Sequence, residues 1–222
     1  WGAAVPMVIR CPSGAMGNGG PFHSQNPEAW FFRVPGLKIV APSTPYDAKG
    51  LIKSSIRDNN PVLYFEHKGL YRDTKIKASL PEDDFVVPIG EGLIRREGKD
   101  LTIITYGMMV HRSLEAAEQL SEEGVAVEVI DLRSLLPFDK NMILESVKKT
   151  NRLLIVHEDT LTGGIGGEMA AIIADEAFEF LDAPIKRVAA IDTPIPFSPP
   201  LEEFFLPNTE KITAALKDLA AY

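Results

Sequence analysis

An α/β fold built on parallel strands is what this sequence predicts, and three observations predict it. Short apolar runs recur along the chain, each bounded by Pro, Gly, Asn or Asp. Segments with helical spacing separate them, and past residue 100 the alternation is regular. Repeated β-α units imply strands paired in parallel, helices on both faces of the sheet and right-handed crossovers.

The first region, 1–72, reads as strand, glycine loop, short helix, strand, helix and strand. Its strands are expected at 7–10, 37–41 and 62–66, buried and parallel. Asn26-Pro27-Glu28 ahead of Ala29-Trp30-Phe31 reads as a helix start, with asparagine as the cap and proline in the first turn. Ser43-Thr44-Pro45-Tyr46-Asp47 has the same logic ahead of a helix over 48–57, which Asp58-Asn59-Asn60-Pro61 stops. Over 73–100 the pattern dissolves into mixed charges, most polar at Leu80-Pro81-Glu82-Asp83-Asp84, and the stretch reads as an inter-domain linker. The last region, 101–222, places strands at 101–106, 126–131, 153–157 and 186–190, and helices at 109–122, 139–149, 166–180 and 209–220.

The chain has 222 residues, enough for one large domain or two modest ones. With 45% hydrophobic and 24% charged residues its composition is that of a globular protein, not a disordered one. A net charge of −8, with Lys and Arg scattered among acids, gives a phosphate backbone little to bind, so no nucleic-acid partner is expected. The single cysteine, Cys11, rules out an intrachain disulfide framework and suits a reducing compartment. No run approaches the roughly 18 apolar residues that span a bilayer, and no signal peptide precedes the first strand. No membrane partner is expected, and the location expected is cytoplasmic or a mitochondrial or other organelle matrix. The chain starts at Trp1 and enters a strand almost at once, which reads as the remainder of a longer protein.

Gly17-Asn18-Gly19-Gly20-Pro21-Phe22-His23-Ser24-Gln25 is the stretch best suited to chemistry. Glycines allow sharp turns and close approach, and they deliver one imidazole, the side chain most easily set to trade protons near neutral pH. On local sequence two readings of His23 stay open, a catalytic group or a loop histidine bonded to backbone. His157-Glu158-Asp159 could hold a metal or relay protons beyond a strand end, but without further ligands at a recognisable spacing it reads as a polar strand-end turn. His67 and His111 read as structural. Gly163-Gly164-Ile165-Gly166-Gly167-Glu168 opens a helix as phosphate-cradling loops do, yet it lacks the P-loop lysine and the dinucleotide spacing, and close packing or subunit contact accounts for it better. Ser55, Asp58 and Asn60 sit at a helix end, where free carbonyls beside an acid can bind a hard cation or simply form a solvated turn.

Taken together, these segments resemble the carboxyl-terminal two thirds of the beta subunit of thiamine-diphosphate-dependent 2-oxo acid dehydrogenases, the decarboxylating component of the pyruvate and branched-chain complexes. The resemblance rests on His23-Ser24-Gln25 with Pro27-Glu28-Ala29, Pro35-Gly36-Leu37-Lys38-Ile39-Val40, Asp47-Ala48-Lys49-Gly50-Leu51, Ile56-Arg57-Asp58-Asn59-Asn60-Pro61, Val129-Ile130-Asp131-Leu132-Arg133 and Ala189-Ala190-Ile191-Asp192-Thr193-Pro194, in that order. It implies a transketolase-like fold: part of a pyrimidine-binding domain over 1–72, a linker over 73–100, and a C-terminal parallel-sheet α/β domain over 101–222. It implies an alpha2-beta2 heterotetramer with a beta-beta dimer, thiamine diphosphate at alpha–beta interfaces with its magnesium on the alpha side, and His23 as the substrate-side histidine. A structural potassium site built largely from main-chain carbonyls is implied at Met7, Ser55, Ile56, Asp58 and Asn60.

The family's beta subunit carries roughly another hundred residues before the point matching Trp1, including a glutamate that activates the aminopyrimidine. Without it the piece by itself is expected to be inactive, and its first sheet is expected to have edges that need cover. Asn26-Pro27-Glu28-Ala29 and Leu70-Tyr71-Arg72 lean toward branched-chain 2-oxo acids over pyruvate, although a methylene or two in a pocket is worth only about 1–3 kcal/mol. The remaining alternatives are a dimerisation and docking module for the acyltransferase core with its lipoyl domain, using Glu202, Glu203 and the Tyr222 carboxylate, and a transketolase-like synthase with another acceptor.

Overall fold

The computed structural model describes residues 2–15 and 17–222. Nine strands run in the order β1 (Val8–Ser13), β2 (Lys38–Val40), β3 (Val62–His67), β4 (Leu93–Arg96), β5 (Leu101–Thr105), β6 (Val127–Asp131), β7 (Ser134–Leu136), β8 (Leu153–Thr160) and β9 (Lys186–Ala190) among the described residues. Among the described residues eight α-helices accompany them: α1 (Gly20–His23), α2 (Glu28–Phe32), α3 (Pro45–Arg57), α4 (Met108–Glu122), α5 (Lys140–Thr150), α6 (Gly166–Glu176), α7 (Pro199–Phe205) and α8 (Thr209–Ala220). No described helix is long and apolar enough to cross a membrane.

The strands form two sheets. One has the order β1-β3-β2-β7, parallel over its first three strands and closed by β7 running antiparallel to β2. The other has the order β4-β6-β5-β8-β9, parallel except for β4. Along β5 and β8 alternate residues face opposite ways, as a pleated strand requires. Leu101, Ile103, Leu154 and Val156 face α4 and α8, whose Leu120, Ile212, Leu216 and Leu219 are fully buried against them. Ile104, Leu153 and Ile155 face Ile143 and Val147 of α5 and Met169 and Ile173 of α6, in a core that continues into Ile39, Leu63 and Phe65 of the first sheet. One core therefore joins the two sheets.

Several expectations need adjustment. The segment 73–100 does not run free: Val87 is buried on α3, Ser54 Oγ donates to Val87 O at 2.5 Å, and β4 within that segment belongs to the second sheet. The second sheet therefore begins before residue 101, and β7, from the C-terminal region, belongs to the first. β1 is a half-exposed edge rather than a buried strand, with Ile9 42% exposed. The helix expected over 166–180 breaks at Ala177, whose backbone leaves the helical region before a short 3₁₀ turn at Phe178–Phe180. α3 starts at Pro45 because Thr44 caps it, its hydroxyl accepting the Asp47 N–H at 3.2 Å. Asn26 does not cap α2, which starts after Pro27 with no side-chain cap.

Candidate active site

His23 ends α1, a single turn inside the glycine stretch, and is exposed. Ser24 N–H bonds Gly20 O at 3.1 Å and the Gln25 amide bonds Pro21 O at 2.9 Å, so the turn closes on itself. Among the described residues no group hydrogen-bonds the His23 imidazole. Beside it Phe22 is 81% exposed and tilts against Phe197 with ring centroids 6.3 Å apart. Gly20 has φ +57° and lies directly on the Phe197 ring, where any Cβ would collide. Asn18 N–H donates to Glu202 Oε2 at 3.1 Å, so the loop rests on the C-terminal region.

Beneath this loop lies a buried polar cluster at the carboxyl ends of β3, β5 and β8, the position where open α/β sheets place ligands. Here the expectation of a polar strand-end turn at His157-Glu158-Asp159 fails: all three residues lie within β8, the first two buried. Glu158 Oε2 is 2.6 Å from His67 Nε2, and Glu158 Oε1 accepts the Ala15 N–H at 2.6 Å. These partners hold the Glu158 carboxyl below its ordinary range against the burial that pushes it up. His67, read as structural, belongs to this cluster.

Glu28 of α2 is fully enclosed. Burial, reinforced by Asp159, pushes its carboxyl up to about 8, and the Tyr106 hydroxyl donates to its Oε1 at 2.5 Å. Tyr106 is itself pushed far above its ordinary range by burial and by Glu28, and burial moves Asp159 up to about 6. Sequence reasoning missed Glu28 and Tyr106 as polar anchors, because Glu28 reads as a helix-start acid and Tyr106 as the end of an apolar strand. His157 is pushed down to about 4 by burial; its Nδ1 lies 3.1 Å from Asp159 O, and its ring packs on Gly164 and Gly166. Gly164 and Gly166 therefore serve close packing at that ring. His111 bonds the Ser43 carbonyl at 2.8 Å. Next to the cluster opens a cleft of about 950 Å³ that Ala15, Gly69, Met108, His111 and Glu158 help to line; His23 does not.

The positions expected to hold potassium gather where α3 turns into β3. Val62 N–H donates to Met7 O at 2.8 Å and Asp58 N–H to Ser55 O at 3.4 Å, which brings the 5–7 segment against the 55–62 turn. The Asp58 side chain is already engaged: Oδ1 accepts the Asn60 main-chain and side-chain N–H at 2.8 and 2.9 Å, and Oδ2 pairs with Lys38. Ser55 Oγ donates to Leu51 O at 2.7 Å, and the Ile56 side chain is exposed. Among the described residues no three His, Cys, Asp or Glu side chains converge on a metal position.

The pyrimidine-binding domain of transketolase matches residues 1–74 and the C-terminal domain of transketolase matches 90–212. The 2-oxoisovalerate dehydrogenase beta subunit of Bacillus subtilis is 50% identical over 99% of this chain and 67% of its own length. The beta subunit of the same organism's acetoin:2,6-dichlorophenolindophenol oxidoreductase is 46% identical over 98% of this chain and 63% of its own length. The pyruvate dehydrogenase E1 component beta subunit of Gracilaria tenuistipitata is 47% identical over 97% of the chain and 66% of that protein. A solved structure described as a split-gene transketolase, inactive beta4 tetramer, superposes with a TM-score of 0.78 over 98% of this chain and 67% of that one at 24% identity, which speaks to the fold. The chain thus spans about two thirds of the length of the relatives it matches. With both domain models matched, the folds superposed and the identity sustained along the whole chain, this protein belongs to the transketolase-like beta subunits of the thiamine-diphosphate-dependent 2-oxo acid dehydrogenase family.

Proposed function

We propose that this chain acts as the beta subunit in oxidative decarboxylation of a branched-chain 2-oxo acid, with transfer of the acyl group to a lipoyl-protein. The observation that carries the reading is His23: an exposed imidazole without a hydrogen-bond partner among the described residues, on a loop tied to the body of the fold, beside exposed aromatic surface. Such a group fits a site completed by a second chain, because its polar atoms are left to the substrate. Thiamine diphosphate, when bound between the alpha and beta chains, supplies the carbanion chemistry. His23 would orient the 2-oxo acid by hydrogen bonding and hold or deliver a proton at a ring nitrogen as the lipoyl group is acylated. Magnesium belongs, in this reading, to the alpha partner.

A potassium ion at Met7, Ser55, Ile56, Asp58 and Asn60 would use main-chain carbonyls, since the Asp58 carboxylate and the Ser55 hydroxyl are already engaged. Branched-chain substrate is favoured over pyruvate by the 50% identical relative. A purely docking role is served less well: Glu202 is buried and turned onto the Asn18 N–H, leaving Glu203 and Tyr222 as the exposed acids of that set. Partners remain as the resemblance implies: an alpha subunit, a beta mate and an acyltransferase core.

The test is a full-length beta chain assembled with its alpha partner. His23→Ala should lower turnover to lipoyl-protein by at least about 100-fold, within the range for a lost acid–base group, and 3-methyl-2-oxobutanoate should be used more efficiently than pyruvate. Near-normal turnover by His23→Ala would overturn the catalytic assignment, and a preference for pyruvate would overturn the substrate.

A further inference from the structure

The loop that carries His23 leaves and re-enters the fold at one place, over one carboxylate. Gly14 N–H donates to Gln25 O at 3.3 Å, which brings the two ends of the loop together. At the outgoing end Ala15 N–H donates to Glu158 Oε1. At the returning end Asn26 lines the same small pocket as Glu158, and Glu28 two residues on is fastened by Tyr106. Glu158 Oε2 faces His67 Nε2 at 2.6 Å, and both side chains are more than nine tenths buried. Gly69 N–H donates to His67 Nδ1 at 3.1 Å, which makes Nδ1 the acceptor and leaves the ring proton on Nε2, directed at Glu158.

We propose that Glu158, oriented by His67, is a positioning residue for His23: it closes the base of the loop and so fixes where the imidazole stands toward the 2-oxo acid. The inference rests on the reading of His23 as the substrate-side histidine. Glycines at 17, 19 and 20 offer no side chains to hold the loop's shape, and few hydrogen bonds within the loop do so. The tip leans on Phe197 and, through the Asn18 N–H, on Glu202, while the ties at the base set where its two ends leave the fold. A charge-assisted hydrogen bond out of water is the strong kind, and a misplacement of about 1 Å at a reacting group can cost on the order of 100-fold in rate.

The experiment uses the full-length beta chain assembled with its alpha partner, reading amide hydrogen exchange over 17–25 together with kcat and KM. Glu158→Gln keeps an acceptor for Ala15 but turns an amide toward the His67 proton; His67→Phe removes the donor; His67→Gln puts an N–H back in its place. Glu158→Gln and His67→Phe should each speed loop exchange and lower kcat by at least about tenfold, with exchange in α4 unchanged, whereas His67→Gln should stay near wild type on both readouts. Adding Glu158→Gln to His23→Ala should cost nothing further. Equal impairment by His67→Phe and His67→Gln, additive losses in the double variant, or unchanged loop exchange would overturn the inference, and the His67 pair carries the test alone if Glu158→Gln does not assemble. Near-normal turnover by His23→Ala overturns the reading beneath it, while an inactive His23→Ala with unchanged loop exchange in the other variants overturns this inference alone.

Discussion

Tyr106, just past β5 in the second sheet, donates its hydroxyl to Glu28 of α2 across the boundary between the two sheets, and Glu28 Oε2 has no hydrogen-bond partner among the described residues. Burial strips water from a carboxylate in that position, and the nearby Asp159 adds repulsion, which is why its protonated form is favoured up to about pH 8.

The folded state consequently binds the Glu28 proton more tightly than the unfolded chain does. Its contribution to stability is present at low pH and is lost as pH rises from the ordinary carboxyl range of about 4.5 through about 8. Glu28→Gln removes the titration while keeping an acceptor for Tyr106. Between pH 6 and pH 9 its melting temperature should fall by several degrees less than that of the wild type. Parallel slopes for the two proteins would show that Glu28 does not titrate in this window.

Most strands and long helices were legible because burial marks the apolar residues, as a short apolar run where a strand is buried on both faces, as in β5, and as a helical period along α4. β4 and β7 were not. Leu93-Ile94-Arg95-Arg96 is too charged and Ser134-Leu135-Leu136 too short to show a period, and each forms by pairing with a distant strand. His23 stood out through its glycines alone. Glu28, Tyr106 and His67 did not, since what makes them unusual is the company brought by other elements, which no local pattern records.

The two sheets are also held by a buried ion network. Arg95 of β4 pairs with Asp47 of α3 and, at 2.8 Å, with Asp131 of β6; Arg133 reaches Asp47 at 3.4 Å, and both acids are fully buried. Arg95→Ala would leave two carboxylates short of a cation, and such a loss costs about 3–5 kcal/mol. Lys140→Ala breaks only the exposed pair with Glu176, worth less than about 1 kcal/mol. Urea midpoints should separate the two variants clearly; equal midpoints would deny the network its role.

Gly14 joins the loop base to His67 through shape. Its φ is +87°, and a Cβ there would lie 2.2 Å from the His67 ring, so alanine meets both backbone strain and a collision. Gly14→Ala should destabilise the protein by about 1–3 kcal/mol, the usual cost of overpacking. Gly17→Ala shares a positive φ of +85° but meets nothing within 4 Å, so it should cost less. The comparison of melting temperatures checks the collision, since strain alone would make the two variants alike.

His157 supplies the opposite pH dependence to Glu28. Its Nδ1 proton is directed to Asp159 O, its Nε2 has no partner among the described residues, and Gly164 and Gly166 press against the ring. Charging it would place an unsolvated N–H against those glycines, so burial lowers its pKa from 6.5 to about 4. The unfolded chain then binds the proton more readily, and the His157 contribution to stability is lost as pH falls from about 6.5 through about 4. Proton NMR of the four histidines should find one imidazole titrating near 4, and His157→Gln should erase its resonance. A His157 ring that titrates near 6.5 in the folded protein would mean that the ring is hydrated, and the packing argument for Gly164 and Gly166 would fall with it.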